Sequence, residues 1–208
     1  MKRIVSFVLL CEGSSEQPLV QHLQELLVSR GADEATGYAD WTHGTVAAKL
    51  TMFLEKGAPV NVVFVHRDAD SADAGGRVRE IDIGVQAAGF TGSYIPVVPI
   101  QETEAWLLVD EAEIRSVVGN PNGRMPLNLP SPEHVEDIAH PKEFLADVLA
   151  TASGKSGGRL AEEKRMFNVR RRILLQRLNV DGNVHKVPAW QRLERAIDDL
   201  AASKGWLE

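Results

Sequence analysis

The sequence has few of the features expected of a secreted or membrane protein. It contains one cysteine, Cys11, which excludes an internal disulfide framework. No apolar stretch approaches the roughly 20 residues that a membrane span requires. The opening MKRIVSFVLLC resembles a short signal segment, but Leu10 is too bulky for the residue before a cleavage site. We therefore expect a cytoplasmic protein that has no membrane partner.

The composition is that of an ordinary globular protein, with an uneven distribution of charge. The 208 residues are 44% hydrophobic and 25% charged, which is enough for one sizeable core. The net charge of -6 divides into -10 over residues 1–141 and +4 over residues 142–208. An acidic body with a basic tail suits a metal-binding domain joined to a surface for polyanions. Solvated helix faces would carry the same modest positive charge, so both interpretations stay open.

Apolar runs alternate with helical patterns over the first 110 residues. The runs at residues 4–10, 60–66 and 93–100 predict strands, and a weaker strand is expected near residues 36–40. Two prolines interrupt the run at 93–100, which favours a strand near the edge of a sheet. The alternation predicts an α/β fold of Rossmann-like type, with a mostly parallel sheet and helices on both faces.

The rest of the chain is predicted to be helical. Residues 120–132, NPNGRMPLNLPSP, hold four prolines and a glycine and therefore predict a loop. We place an α/β domain at residues 1–119 and a helical C-terminal subdomain at residues 133–208. TEAWLLVDEAEIRSVVG and RLAEEKRMFNVRRRILLQRL are each expected to form one helix.

Carboxylates follow two of the predicted strands. Glu12 comes directly after the first strand, and Asp68 and Asp70 follow the strand at 60–66. Glu16 lies four residues after Glu12, in the first turn of a helix that Ser14 or Ser15 is expected to cap. Because the carboxyl ends of parallel strands meet at one edge, these groups should converge. Converging carboxylates repel one another, and Mg²⁺ is the cation whose hard oxygen ligands they supply.

Each of these acidic residues also has a purely structural interpretation. Glu12 and Glu16 would favour the positive end of the helix dipole without any catalytic role. Asp68 and Asp70 could close the strand with an Asx-type turn. His66 precedes them and either orients a carboxylate or is a satisfied histidine at the end of a strand.

CEGSSE after the first strand and DAD after a later one together resemble the toprim domain, a metal-dependent fold found in topoisomerases, primases and nucleases. The EGxxE form is most similar to OLD-type nucleases. PVVPIQETEAWLLVD also resembles small bacterial toprim-like proteins encoded beside ATPases in suspected phage-defence loci. The resemblance implies that Mg²⁺ or Mn²⁺ is bound by Glu12, Glu16, Asp68 and Asp70, and that phosphodiesters are cleaved. Tyr38 and Tyr94 are not placed as a topoisomerase nucleophile, so we expect no strand passage.

Two further stretches carry candidate site residues. The resemblance places a glutamate in ETEAW, which makes Glu104 a candidate catalytic residue beside Glu12, Asp68 and Asp70; a solvated first-turn carboxylate is the alternative. Trp106 is expected in the core. Lys155 and Arg159, in ASGKSGGRL, either neutralise a phosphate from a mobile basic loop or belong to a plain helix connection.

A basic helix face is predicted within KRMFNVRRRILLQRL. The expected outward residues are Arg165, Arg171 and Arg172, and the expected buried stripe contains Met166, Phe167, Val169, Ile173 and Leu174. The outward face would contact a nucleic-acid backbone, where each neutralised phosphate releases counterions. An acidic protein partner is the alternative.

The sequence as a whole favours a toprim-type nuclease that uses Mg²⁺ or Mn²⁺ and takes part in phage defence. The alternative is a non-catalytic toprim-like subunit that binds or regulates a separately encoded ATPase. FVHRDADS also resembles the nucleophile loop of haloacid-dehalogenase-type phosphatases, but in those proteins the motif follows the first strand.

Overall fold

A computed structural model of the chain describes residues 2–57 and 59–206. The chain divides into two compact units. The first comprises Met1–Ala69, Asp73–Val98 and Gln191–Glu208, and the second comprises Asp70–Ala72 and Pro99–Trp190. The proline-rich stretch that the sequence analysis placed between domains lies inside the second unit.

Four strands form a parallel sheet in the first unit. They are β1 Ile4–Leu10, β2 Glu34–Asp40, β3 Val62–His66 and β4 Ser93–Val97. The order in the sheet is β2-β1-β3-β4, and all neighbours are parallel. β3 is central and buried along its whole length, which explains its continuous apolar sequence. The predicted α/β class is confirmed and is consistent with a Rossmann-like fold, and the proline-containing β4 lies at an edge as predicted.

Helices connect consecutive strands of the sheet: α1 Leu19–Ser29, α2 Val46–Glu55 and α3 Gly75–Ala87. The chain moves in one direction from β1 to β2 and in the other from β2 to β3 and β4. Right-handed crossovers therefore put α1 on one face and both α2 and α3 on the other. α2 and α3 approach closely, since a Cβ atom added at Gly84 would lie 2.7 Å from the Cβ of Val46.

The predicted start of the first helix is wrong. Ser14–Glu16 form a short 3-10 turn, and α1 begins after Pro18 as its N-cap residue. Pro18 has no N–H to contribute, so the helix starts at the position where a missing donor costs least. Glu16 therefore lies in the 3-10 turn between β1 and α1 rather than in the first turn of α1.

The second unit is built from helices. They are α4 Glu111–Val117, α5 Pro141–Ser153, α6 Gly157–Arg165 and α7 Phe167–Gln176, with 3-10 segments at Thr103–Leu108, Pro132–Asp137 and Asn183–Lys186. α8, Pro188–Ser203, begins in this unit and continues into the first. Its later part binds the end of α1, where Arg30 Nε lies 3.0 Å from Asp198 Oδ1.

Two predicted single helices are each interrupted. Asp110 has extended backbone angles, and its side chain accepts a hydrogen bond from Glu113 N (3.0 Å), so it caps a new helix, α4. The later helix is interrupted at Met166, whose N–H bonds to Glu163 O three residues earlier (2.9 Å). Such a tightened turn ends α6, and α7 then begins.

Trp106 packs against Trp190 in the core of the second unit, which confirms the core position predicted for Trp106. Both side chains are fully buried, and their rings meet edge to face with centroids 5.0 Å apart. In the described part of the chain, none of the helices combines the length and the apolar character needed to cross a bilayer.

Candidate functional site

The candidate site of the first unit lies at the carboxyl ends of β1 and β3. These strands are neighbours, and Leu10 pairs with Val65 in the register of the sheet. Glu12 lies two residues after Leu10, and Arg67 lies two residues after Val65. The chain direction reverses between these strands, because β1 connects outward to β2 and β3 connects outward to β4. Ligands of open α/β sheets bind at this switch point, outside the carboxyl ends of the strands.

Glu12 is engaged by an arginine that the sequence analysis did not single out. Glu12 Oε1 lies 3.3 Å from Arg67 Nε, and Arg67 Nη2 lies 3.3 Å from Glu80 Oε1. Arg77 continues the network, since its Nη1 donates to Glu80 Oε2 (2.6 Å) and its Nε donates to the carbonyl oxygen of Asp68 (2.9 Å). Charges of alternating sign therefore connect the ends of β1 and β3 with α3.

Asp68 lies beside the last residue of β3. His66 Nε2 is 3.8 Å from Asp68 Oδ1, and the histidine side chain is buried. The two groups are neighbours, but the distance is too long for a hydrogen bond. An ion pair forms there only when the imidazole is protonated.

Glu16 is buried although it carries a carboxylate. It is 6% exposed and accepts a hydrogen bond from the Ser15 hydroxyl (2.6 Å). Burial, with the charge of Glu16 as the next cause, raises the pKa of the Cys11 thiol to about 12. Cys11 therefore remains a neutral thiol. Glu16 lies close enough to the end of β1 for its charge to affect the pKa of Cys11.

Lys49 is a second cation at this edge that sequence reasoning missed. It is 6% exposed, and its Nζ donates to the carbonyl oxygen of Cys11 (2.5 Å). Burial lowers the pKa of Lys49, while the nearby charge of Glu12 opposes that effect. The signal was present in the pattern of α2, where the buried residues Val46, Lys49, Leu50 and Phe53 recur at helical spacing.

Asp70 belongs to the second unit and has an unusual backbone conformation. Its φ is +51°, and Gln101 also has a positive φ, of +58°. The two segments are joined because Asp70 N donates to Gln101 O (2.9 Å) and Gln101 N donates to Ser71 O (3.1 Å). Left-handed conformations cost roughly 1 kcal/mol or more for residues with a Cβ, and they cluster at functional sites.

Glu104 is buried in the second unit and pairs with Arg171, which was predicted to face solvent. It is 4% exposed and accepts a hydrogen bond from Arg171 Nε (2.7 Å). Arg171 is itself buried, so the expectation that it faces solvent is wrong. A buried carboxylate needs a counter-charge, and Arg171 supplies it from the same helical stripe as Leu174 and Leu175.

The predicted buried stripe of this region is also wrong in part. Met166 and Val169 are exposed, at 36% and 47%. The interruption at Met166 changes the register between α6 and α7, so one helical period does not run through both. Arg165 and Arg172 are exposed, as predicted for residues that contact phosphates.

Lys155 is held in an ion-pair cluster, whereas Arg159 is exposed. Lys155 Nζ lies 2.5 Å from Glu163 Oε2, and Arg170 Nε lies 2.7 Å from Glu163 Oε1. The hydrogen bond from Arg170 holds the pKa of Glu163 below its usual value. Burial opposes this effect, and the hydrogen bond from Lys155 adds to it. The lysine of the predicted basic loop therefore binds Glu163 near the end of α6, and Arg170 connects the same carboxylate to α7.

The predicted metal ligands fall in both units, with Glu12, Glu16 and Asp68 in the first and Asp70 in the second. Within residues 2–57 and 59–206, no three acidic, histidine or cysteine side chains are grouped so as to hold a metal ion. Carboxylate oxygens are the ligands that Mg²⁺ and Mn²⁺ prefer.

Comparisons of the chain with protein-family models, with curated proteins and with solved structures found no match.

Proposed function

We propose that this protein is a toprim-like nuclease that hydrolyses phosphodiester bonds of nucleic acid in the cytoplasm with the help of Mg²⁺ or Mn²⁺. The observation that carries the proposal is the placement of Glu12 and Asp68. They follow adjacent parallel strands, β1 and β3, at the switch point of the sheet. If Glu12 only favoured a helix dipole and Asp68 only closed an Asx-type turn, there would be no reason for both to lie at the same switch point.

The proposed roles follow from the type of each side chain. Glu12, Glu16 and Asp68, which lie in the first unit, would supply carboxylate oxygens to the ion. Asp70 and Glu104, in the second unit, are the further candidates of the resemblance. A bound divalent ion supplies an activated water and stabilises charge on the phosphate.

Contact with the nucleic-acid backbone is assigned to exposed arginines of the second unit. Arg159, Arg165 and Arg172 are exposed and lie on α6 and α7. Arg171 is left out of this surface because it is committed to Glu104. Each phosphate contact of this kind would release counterions and make binding depend on salt.

The proposal is tested by incubating the protein with plasmid, single-stranded DNA and RNA, each with Mg²⁺ or Mn²⁺. Wild type should cleave at least one substrate, and Glu12→Gln and Asp68→Asn should each lose about 10²- to 10⁴-fold in rate while staying folded. Glu55→Gln, an exposed carboxylate at the end of α2, is the matched control. Cleavage that survives both variants would exclude this site as the centre of reaction.

A second candidate function is favoured by the ion pair between Glu12 and Arg67, which engages the Glu12 carboxylate with a cation of the protein itself. On this proposal the protein is a non-catalytic subunit that binds or regulates a partner ATPase. A wild type that is inactive on every nucleic acid, yet alters the rate of ATP hydrolysis by such a partner, would favour it.

A further inference from the structure

Arg67 is held in place from one side and covered by a displaceable group on the other. The terminal nitrogen Nη2 contacts the carboxylate of Glu80, which Arg77 also binds. Glu80 and Arg77 belong to α3, so this contact fixes the guanidinium to α3. On the other side, Nε faces Glu12, whose side chain is 50% exposed while that of Arg67 is 15% exposed. Glu12 can therefore move into solvent without disturbing the position of the arginine.

The contact between Arg67 and Glu12 does not satisfy the donor. Arg67 Nε is buried, and among the described residues it makes no hydrogen bond, although Glu12 Oε1 lies 3.3 Å away. A buried donor left without a hydrogen bond costs about 1–3 kcal/mol, and more when it is charged. A tetrahedral oxyanion such as phosphate could place an oxygen in hydrogen-bonding position to Arg67 Nε, which this carboxylate does not do.

A second cation acts on the same carboxylate. The charge of Glu12 is close enough to Lys49 to affect its protonation, and the charge of Arg67 affects it with the opposite sign. When Glu12 leaves, both cations lose an anion with which they interact. The end of β1 and β3 then favours the entry of another anion.

We infer that Arg67 is the binding site for a phosphate group of the ligand, and that the Glu12 carboxylate occupies this site in the ligand-free protein. Arginine suits this role because its guanidinium stays charged and its N–H groups form charge-assisted hydrogen bonds with phosphate oxygens. The position is the switch point at which phosphates bind in other open α/β sheets. The identification of the phosphate as part of a nucleic acid rests on the proposed function, whereas the binding itself does not.

The inference is tested with inorganic phosphate, by calorimetric titration in the presence of a chelator at constant ionic strength. Wild type should bind it, and Glu12→Gln should bind it up to about 5-fold more tightly because an ion pair worth up to about 1 kcal/mol no longer competes. Arg67→Gln should weaken binding by about 10-fold or more, since charge-assisted hydrogen bonds are lost. In the double variant Glu12→Gln with Arg67→Gln, the gain from Glu12→Gln should disappear.

Matched variants separate these effects from a general change in charge. Arg79→Gln removes an exposed arginine of α3, and Glu55→Gln removes an exposed carboxylate of α2; each should change phosphate affinity less than 2-fold, or about 0.4 kcal/mol. If Arg67→Gln does not fold, Arg67→Lys keeps the charge without the guanidinium and should bind phosphate with intermediate affinity.

Phosphate binding that is equal in wild type and in a folded Arg67→Gln or Arg67→Lys variant would overturn the inference. So would a wild type and a Glu12→Gln variant that both fail to bind phosphate, or a gain from Glu12→Gln that persists without Arg67. These measurements use neither divalent ions nor cleavage, so their failure is distinct from a failure of the proposed nuclease activity.

Discussion

Replacing Arg171 by methionine should strongly destabilise the protein. The substitution keeps the length of the aliphatic side chain but removes the guanidinium that donates to Glu104 at 2.7 Å. Because the Glu104 and Arg171 side chains are only 5% and 8% exposed, the remaining carboxylate would be buried without its counter-charge. Removing one partner of a buried ion pair costs about 3–5 kcal/mol.

This cost corresponds to a large change in melting temperature. For a protein of this length, 1 kcal/mol lowers Tm by about 2–4 °C, so Arg171→Met should melt about 6–20 °C below wild type. Adding Glu104→Gln should recover most of the loss, because neither buried charge then remains. The measurement is thermal unfolding followed by circular dichroism or calorimetry.

Arg172→Met is the matched control for this prediction. Arg172 is the next residue of α7 and is exposed, so its replacement should change stability by no more than about 0.5 kcal/mol. If Arg171→Met and Arg172→Met melt at the same temperature, the Glu104–Arg171 pair does not stabilise the fold. Glu104 would then be available for the catalytic role that the resemblance implies.

Two further predictions concern other charged side chains. Burial lowers the pKa of Lys49, so the folded protein binds fewer protons than the unfolded chain just below the ordinary lysine pKa. The unfolding free energy of wild type relative to Lys49→Met should therefore rise with pH through this window, and denaturant titrations that show no such rise contradict the assignment. Replacing Arg159, Arg165 and Arg172 by glutamine should make the log–log salt dependence of duplex binding shallower by up to about 0.9 per lost contact. An unchanged slope would indicate that this face contacts a protein.

Local patterns were sufficient to predict the sheet and the position of its acidic residues. The apolar run Ile4–Leu10 coincides with β1, and Val62–His66 lies within the predicted second apolar strand. β3 is buried along its whole length and β1 is buried from Phe7 to Leu10, so these positions select apolar side chains and give a continuous signal. Glu12 and Asp68 stand out because each is a carboxylate two residues after such a run.

Interruptions of helices were not predicted because they do not disturb the spacing of apolar residues. Asp110 begins a new helix, and Met166 separates α6 from α7, yet the apolar stripe can be drawn across both positions. One residue in a different backbone conformation is enough to shift the face that follows. Arg171 is a different case, because it lies within α7 at helical spacing from Leu174 and Leu175 and was assigned to the outer face only for its charge.

Pairs of charges that are distant in sequence could not be predicted at all. Glu104 and Arg171 are 67 residues apart, and Lys49 lies 38 residues from the carbonyl of Cys11 that it binds. A lysine or arginine in a helix satisfies the same local pattern whether it faces water or a buried acceptor. When the fold removes water from the residue, its buried charge costs free energy unless a partner of opposite charge or a hydrogen-bond acceptor is present. Which residue becomes this partner depends on which elements pack together, and this is decided by the tertiary structure.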